Sequence, residues 1–390
     1  MEIKAEQQHI LIFEPRIEGH HLSWLKYVTE AFNMAGFKLT LALNWNPKTK
    51  KLIEKQLSNV ISKVSIIPAL NHDVSLNKKS KIVKNLTNCF KISGAKEIFI
   101  NNLDEFISHC LRSATLGIYP PKELRGALSG VYFRPRFLEN ANWPPGNLIK
   151  SIGFRKLCRK GWFNKIYLLD EYLLTKAQNN YAGITVYFLP DPWDGDFYPS
   201  KKEARKFLNI PEDRFMLLHY GIGKKRKGLH LTVRALLESP ADWRIFLLCA
   251  GNIPNDRELL KEISALEQRR QAKVINRYVS DSEEIQCFCA SDVVMLPYVK
   301  HFGSSGVLSR AAAAGKMVIA SNEGLIGRRI REHKLGWLFQ SGNVSELRKR
   351  ISDAESLTEK DLEQFQKAAF RYAEHCSRGS FNKALIEPFK

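Results

Sequence analysis

Two short stretches of the sequence carry residue types suited to holding an anion. The first, Gly221-Ile222-Gly223-Lys224-Lys225-Arg226-Lys227-Gly228, places four cations in a row between an apolar run and an amphipathic one. The second, Gly303-Ser304-Ser305-Gly306, puts small residues directly before VLSRAAAA. Without bulky Cβ groups, backbone N–H groups can approach a ligand, and at a helix N-terminus partial positive charge favours an anion. A phosphate suits such a loop. So does a plain Gly/Ser turn with serine as N-cap, and the residues alone leave both readings open. Together the two stretches offer one diphosphate a cationic clamp and a helix terminus.

Other candidates lie in the first half of the chain. Glu18, His20, His21, Asn102, Asp104 and Glu105 fall in two loops, Arg16 to His21 and Asn101 to Glu105. Of these, His20 and Asp104 are the candidate catalytic pair. An imidazole at position 20 suits a general base, an oxyanion donor, a sugar-hydroxyl partner or a helix-terminal residue bonded to backbone. Arg134 and Arg136 alternate on a stretch read as extended, so both are expected to point the same way, toward an acceptor. Asp194-Gly195-Asp196 has the D-x-D spelling that holds a divalent cation in some sugar-nucleotide enzymes, but the prolines and glycine around it favour a turn. Cys287 and Cys289 have no second ligand pair at useful spacing. No metal and no cofactor is expected.

The elements that must position these residues alternate. HILIFEP, KLTLAL, VSIIPAL and EIFINN are strand-like and separated by amphipathic helices, the third of them basic and running from Asn77 to about Gly94. This βαβα rhythm predicts a doubly wound parallel sheet, whose ligands bind beyond the carboxyl ends of its strands. NKIYLLDE and TVYFLPDP extend the first half. The segment LIKSIGFRKLCRKGWF interleaves Ile149, Ile152, Phe154 and Leu157 with Lys150, Arg155, Lys156, Arg159 and Lys160. It suits either a membrane-surface or acceptor-binding helix or a solvated helix covering the sheet. LPDPWDGDFYPS, Leu189 to Ser200, breaks the rhythm as a linker does. The alternation then resumes with FMLLHYG, WRIFLLCAG, KVINRYV, VVMLPY and MVIAS, and the chain closes in helices. The expected domains are 1–190, a linker at 191–200, 201–358, and C-terminal helices at 359–390 packing back across both.

The chain has 390 residues, of which 60 are Lys or Arg and 40 Asp or Glu, a formal charge of +20. Such an excess favours polyanionic neighbours: nucleic acid, an anionic membrane face or phosphorylated substrates. No recognised nucleic-acid module accompanies it, so no nucleic-acid partner is expected. The seven scattered cysteines suit reduced core thiols. MEIKAEQQHILIFEP is no signal peptide, and no apolar run approaches the ~20 residues of a membrane span. A cytoplasmic protein is expected, meeting any membrane as a peripheral protein on its inner face.

Taken together, the motifs resemble the GT-B glycosyltransferases of the group 1, family 4 type. HYGIGKKRKGLHLTVRAL is similar to "VGRLxxxKGxxxLIxAL", FGSSGVLSRAAAAGKMVIAS to "EGFGLxxLEAxAxGxPVIA", and LPDPWDGDFYPS to the interdomain "IPNGVD" segment. IASNEGLIGRRIREHKLGWLFQSGNVSELRKRI is similar to "GGxxEIVxxGxxGxLVxPxDxxxLAxAI". The resemblance implies two Rossmann-like domains facing across a cleft, and transfer of a sugar from a nucleotide donor with retained anomeric configuration and no metal. It implies that Lys227 binds the donor diphosphate, that the amides of Gly303 to Gly306 help hold it, and that Gly19 with His20 forms the first loop. Three family positions are unusual. Counting back from Gly315, the family's acidic pair falls on Phe302 and Arg310, while the arginine preceding the family lysine falls on Ile222 or Gly221. An arginine cannot accept hydrogen bonds from sugar or ribose hydroxyls. Glu323 is the nearest substitute carboxylate, and Arg226 or Lys225 the substitute cation.

Three functions remain open from sequence. One is a glycosyltransferase adding a sugar to a glycan or lipid-linked acceptor in cell-surface polysaccharide or lipopolysaccharide biosynthesis. The second is a degenerate GT-B protein that only binds, and the third a nucleotide-sugar epimerase on the same fold.

Overall fold

The computed structural model describes residues 7–18, 20–69 and 79–390. By its contacts the chain divides into two units, Met1–Pro190 with Phe381–Lys390, and Asp191–Ser380. The segment 191–200 thus counts within the second unit, and only the last ten residues of 359–390 belong to the first.

In the first unit the strands are β1 (His9–Glu14), β2 (Lys38–Leu43), β3 (Ser65–Pro68), β4 (Glu97–Ile100), β5 (Leu128–Tyr132), β6 (Phe163–Leu168) and β7 (Thr185–Phe188). All pair in parallel, in the order β3-β2-β1-β4-β5-β6-β7. The apolar runs that did not alternate in sequence are buried on both faces: Leu11 and Phe13 belong to one core, Ile10 and Ile12 to the other. The final residues close the second of these cores. Phe381 packs edge-on against Trp24, Phe389 against Phe32, and Tyr167 donates its hydroxyl to the Leu385 carbonyl at 2.7 Å.

The second unit holds β8 (Phe215–Tyr220), β9 (Ile245–Ala250), β10 (Ala272–Ile275), β11 (Val293–Leu296), β12 (Met317–Ser321) and β13 (Gly336–Phe339), again parallel, in the order β10-β9-β8-β11-β12-β13. The alanine-rich helix Gly306–Ala313 joins β11 to β12 and packs closely against the helix Glu359–His375. In both sheets the strand order reverses once, between β1 and β4 and between β8 and β11. At such a switch point neighbouring loops leave in opposite directions and open a crevice for a ligand.

One sequence expectation fails locally. Arg134 and Arg136 do not share an extended strand: β5 stops at Tyr132, and Arg136 begins the short helix Arg136–Glu139. Pro135 bends the chain, and the Arg136 amide donates back to the Arg134 carbonyl at 2.8 Å, which destroys the alternation of side chains.

Candidate functional site

The loop after β8 and the loop after β11 leave the second sheet at its switch point. The first ends in a single 3₁₀ turn, Lys225–Lys227, followed by Gly228 at φ 71°. A Cβ on Gly228 would sit 1.7 Å from the Pro297 carbonyl oxygen, so only glycine lets the turn press against the chain leaving β11. The contact is fastened by the Val299 amide, which donates to the Arg226 carbonyl at 2.9 Å. The four cations consequently differ. Lys224, Lys225 and Arg226 are exposed, whereas Lys227 is half-buried with its ammonium 3.9 Å from the centroid of the Tyr298 ring, a cation–π contact. Arg226 bonds His301 Nδ1, which fixes that nitrogen as acceptor and leaves Nε2 to donate to the Ser304 carbonyl at 3.2 Å. Beneath the lysine, burial, the Lys227 charge and His230 push His219 down to about 3. It is neutral, and among the described residues neither of its ring nitrogens has a partner.

The Gly303 to Gly306 loop stands beside this turn. Ser305 is the N-cap of Gly306–Ala313, but its hydroxyl turns to the Tyr298 hydroxyl at 3.1 Å instead of to the helix amides. The N-terminus of the helix is thereby left for another anion. Tyr298 presents one ring face to Lys227 and its hydroxyl to Ser305, so a single side chain touches both halves of the predicted phosphate site. Glu323 is near as well. It accepts from the Lys300 amide at 3.3 Å, and Gly324, at φ 63°, lies against the His301 carbonyl. Phe302 is exposed.

Three further residues belong to this cluster and were not singled out from sequence. Asp191 is buried, and its backbone carbonyl accepts from Ser309 Oγ at 2.7 Å. Its carboxylate lies near Gly306, 3.5 Å from where a Cβ would be. Burial raises the Asp191 pKa, while Arg310, Ser304, Arg329 and Lys227 pull it back. Arg329, also buried, donates to Ser304 Oγ at 2.8 Å. Glu284 accepts from Arg310 Nε at 2.5 Å and from the Tyr220 hydroxyl. Arg310, at the family's second acidic position, thus arrives with its own carboxylate, and that carboxylate is Glu284.

In the first unit, Gly19 lies outside the described residues, as do the side chains of His20 and Glu105; the backbone of His20 opens the helix His20–Met34. Asp104 clamps the chain beyond β5, accepting from the Phe133 amide at 2.6 Å with one oxygen and from the Arg134 amide at 2.9 Å with the other. Burial pushes its carboxyl up to about 6 against these bonds. Arg134 is exposed beside this clamp, and Arg136 is exposed on the short helix that follows. A buried network, of which His21 alone was named among the sequence candidates, holds the end of β1. Glu14 Oε2 lies 2.9 Å from His21 Nδ1 and accepts from Asn101 Nδ2 at 2.9 Å, while Glu14 Oε1 takes the Arg16 amide at 3.0 Å. Its signal in sequence was an acid at the end of an apolar strand, seven residues before a histidine.

No curated protein is significantly similar to the sequence. Residues 200–372 match the family described as Glycosyl transferases group 1. Among solved structures, the chain is similar to Anabaena Alr3699/HepE in complex with UDP and glucose, with TM-score 0.73 and 16% identity over 98% of this chain and 99% of that one. It is similar to the sucrose-phosphate synthase of Thermosynechococcus elongatus, with TM-score 0.71 and 13% identity over 98% of each chain. It is also similar to WaaG, a glycosyltransferase involved in lipopolysaccharide biosynthesis, with TM-score 0.67 and 14% identity over 97% of this chain and 98% of that one. The chain has the GT-B fold throughout, and the stretch that matches the group 1 family, residues 200–372, carries the Lys227 turn and the Gly303 to Gly306 loop.

Proposed function

We propose that the protein is a retaining, metal-independent glycosyltransferase, moving a sugar from a nucleotide-sugar donor to a glycan or lipid-linked acceptor in cell-surface polysaccharide biosynthesis. The observation that carries this reading is the fastening of Lys227 beside the uncapped N-terminus of Gly306–Ala313, at the switch point of a group 1 domain. Lys227 and the helix amides would hold the donor diphosphate and stabilise the charge that grows on it as the sugar leaves. Such donors cost no reorganisation, because Gly228, Tyr298 and the Arg226–Val299 bond already fix them. The UDP and glucose held by the similar HepE structure support a uridine nucleotide as the first donor to try. The acceptor hydroxyl would be deprotonated by the donor phosphate, with Arg134 and Arg136 on the acceptor side. His20 and Asp104 remain the proposed first-unit contacts, Gly19 and Glu323 the proposed donor-sugar contacts.

A second reading, a GT-B protein that binds a donor without turning it over, is favoured by Phe302 and Arg310 at the acidic positions and by the Arg310–Glu284 pair. Thermal stabilisation by UDP and UDP-glucose, followed by acceptor-dependent release of UDP, separates the two. Stabilisation without release supports the binding protein, and no stabilisation by any nucleoside diphosphate removes the donor site from both.

A further inference from the structure

The helix Pro145–Arg159 in the first unit buries one face, through Asn147, Ser151, Gly153, Phe154, Leu157 and Cys158. On the other side it shows water an unusual set of residues. Leu148, Ile149 and Ile152 are 45%, 44% and 39% exposed, and Trp143, just before the helix, is 70% exposed. At about 100° per residue, Leu148, Ile152, Arg155 and Arg159 form one stripe, apolar toward the N-terminus of the helix and cationic toward its end.

The tryptophan is held out rather than left loose. Its amide donates to Asn140 Oδ1 at 3.1 Å, and the buried Asn147 side chain donates to the carbonyls of Asn140 and Trp143, each at 2.9 Å. A turn fastened in this way keeps a large ring in water, a position that stability alone does not favour. At the other end of the helix Lys156 donates to the Thr115 carbonyl at 2.8 Å, and Leu116, the next residue of that chain segment, is exposed. From Asn140 to Leu169 the chain contains no Asp or Glu; it carries Lys150, Arg155, Lys156, Arg159 and Lys160 on and just after this helix, while Lys165 is buried in β6 and paired with Glu97.

We infer that this face, Trp143 with the exposed stripe of Pro145–Arg159, docks on an anionic lipid surface. Tryptophan and branched aliphatic side chains enter the headgroup region, and arginine and lysine stems lie along it with their charges at the lipid phosphates. Charge selects this occupant: a segment that is cationic without a single acid attracts an anionic bilayer from within a Debye length. The surface owes nothing to the donor site, and it would bring the protein to a lipid-linked acceptor.

The test is sedimentation of the full chain with vesicles of phosphatidylcholine alone and of phosphatidylcholine with phosphatidylglycerol, at low and high salt, with light scattering of the free protein. Wild type should pellet with the anionic vesicles at low salt and be released by high salt. Arg159→Glu should weaken that binding about tenfold. The double variant Trp143→Ala with Ile152→Gln should weaken it similarly and leave a residue of binding that salt abolishes. Thermal melts confirm that each variant folds. Equal pelleting with both vesicles, no pelleting, or variants that bind as wild type overturn the inference. So does a dimer in light scattering that the double variant abolishes, since the face would then belong to a second copy. Sugar transfer is not read in any arm, so failure of the donor reading leaves the result intact.

Discussion

The Val299 amide donates to the Arg226 carbonyl at 2.9 Å, joining the turn after β8 to the loop after β11 next to the two groups proposed to hold the diphosphate. Lys227 is therefore placed by backbone on one side and by the Tyr298 ring on the other. Replacing it with alanine removes a charge-assisted contact and no core packing. Lys227→Ala should lower UDP affinity and sugar transfer by about 1.5–3 kcal/mol, roughly ten- to a hundredfold, while the chain still folds, its melting temperature falling only by what the lost Tyr298 contact contributes. Isothermal titration with UDP and a coupled release assay check it, and wild-type affinity would take Lys227 out of the site.

Asp191 and Arg329 both reach Ser304, so their contributions should be coupled. Arg329→Leu leaves a buried carboxylate with one cation fewer and should cost about 3 kcal/mol in urea unfolding. Asp191→Asn in the same chain should restore part of that loss, giving a coupling of about 1 kcal/mol or more in the double-mutant cycle. Additive losses would mean that the two residues act separately.

Much of this was legible in sequence because it rests on local patterns. Short unalternated apolar runs such as Ile10–Phe13 and Val293–Leu296 suit strands covered on both faces, and their alternation with longer amphipathic helices points to doubly wound sheets. The Lys227 turn and the Gly303 to Gly306 loop followed from residue type and from their places at strand ends. What escaped depends on contacts between residues far apart in sequence. Nothing local distinguishes Arg329, which is buried on Ser304, from Arg328, which is exposed and paired with Glu332 at 2.8 Å. Glu284 is twenty-six residues from Arg310 and lies on another helix. Asp191 was hidden in a segment whose prolines spoke for a turn. The direction of Arg136 was lost to one proline, because a period of two holds only while the chain stays extended.

Asp104 gives a pH dependence with a definite sign. Its folded carboxyl titrates near 6 against 3.8 for the free side chain, because burial outweighs the amides of Phe133 and Arg134 and the Arg134 charge. Between these values the folded protein binds more protons than the unfolded chain, so this group's stabilisation is complete below the lower value and is lost as pH rises through 6. Asp104→Asn serves one amide and turns an NH₂ toward the other, which should cost about 1–3 kcal/mol. The deficit should be larger at pH 4 than at pH 7 by about 1–2 kcal/mol, the full shift being discounted for the partly exposed side chain. Urea unfolding of both proteins at the two pH values measures it, and a pH-independent difference would show that Asp104 titrates normally.

Arg310 and Glu284 provide the sharpest distinction between a rebuilt donor site and a lost one. Arg310 also donates to the Gly306 carbonyl at 3.1 Å, and its partner Glu284 takes the Tyr220 hydroxyl, so the guanidinium links the helix Gly306–Ala313 to the end of β8. Restoring an acid by Arg310→Glu would set two carboxylates together in a mostly buried site, with Asp191 close by. One of them must then take up a proton, so the variant should melt well below wild type at pH 8 and recover toward pH 5. The exchange Arg310→Glu with Glu284→Arg keeps one charge of each sign and should remove most of that pH dependence. If Glu284 supplies the acceptor oxygens that an arginine cannot, the exchange returns them to position 310 and UDP binding should survive, while Glu284→Gln alone should weaken it about tenfold. Unchanged UDP affinity in Glu284→Gln would reduce the pair to a structural bridge and strengthen the reading of a protein that binds without transfer.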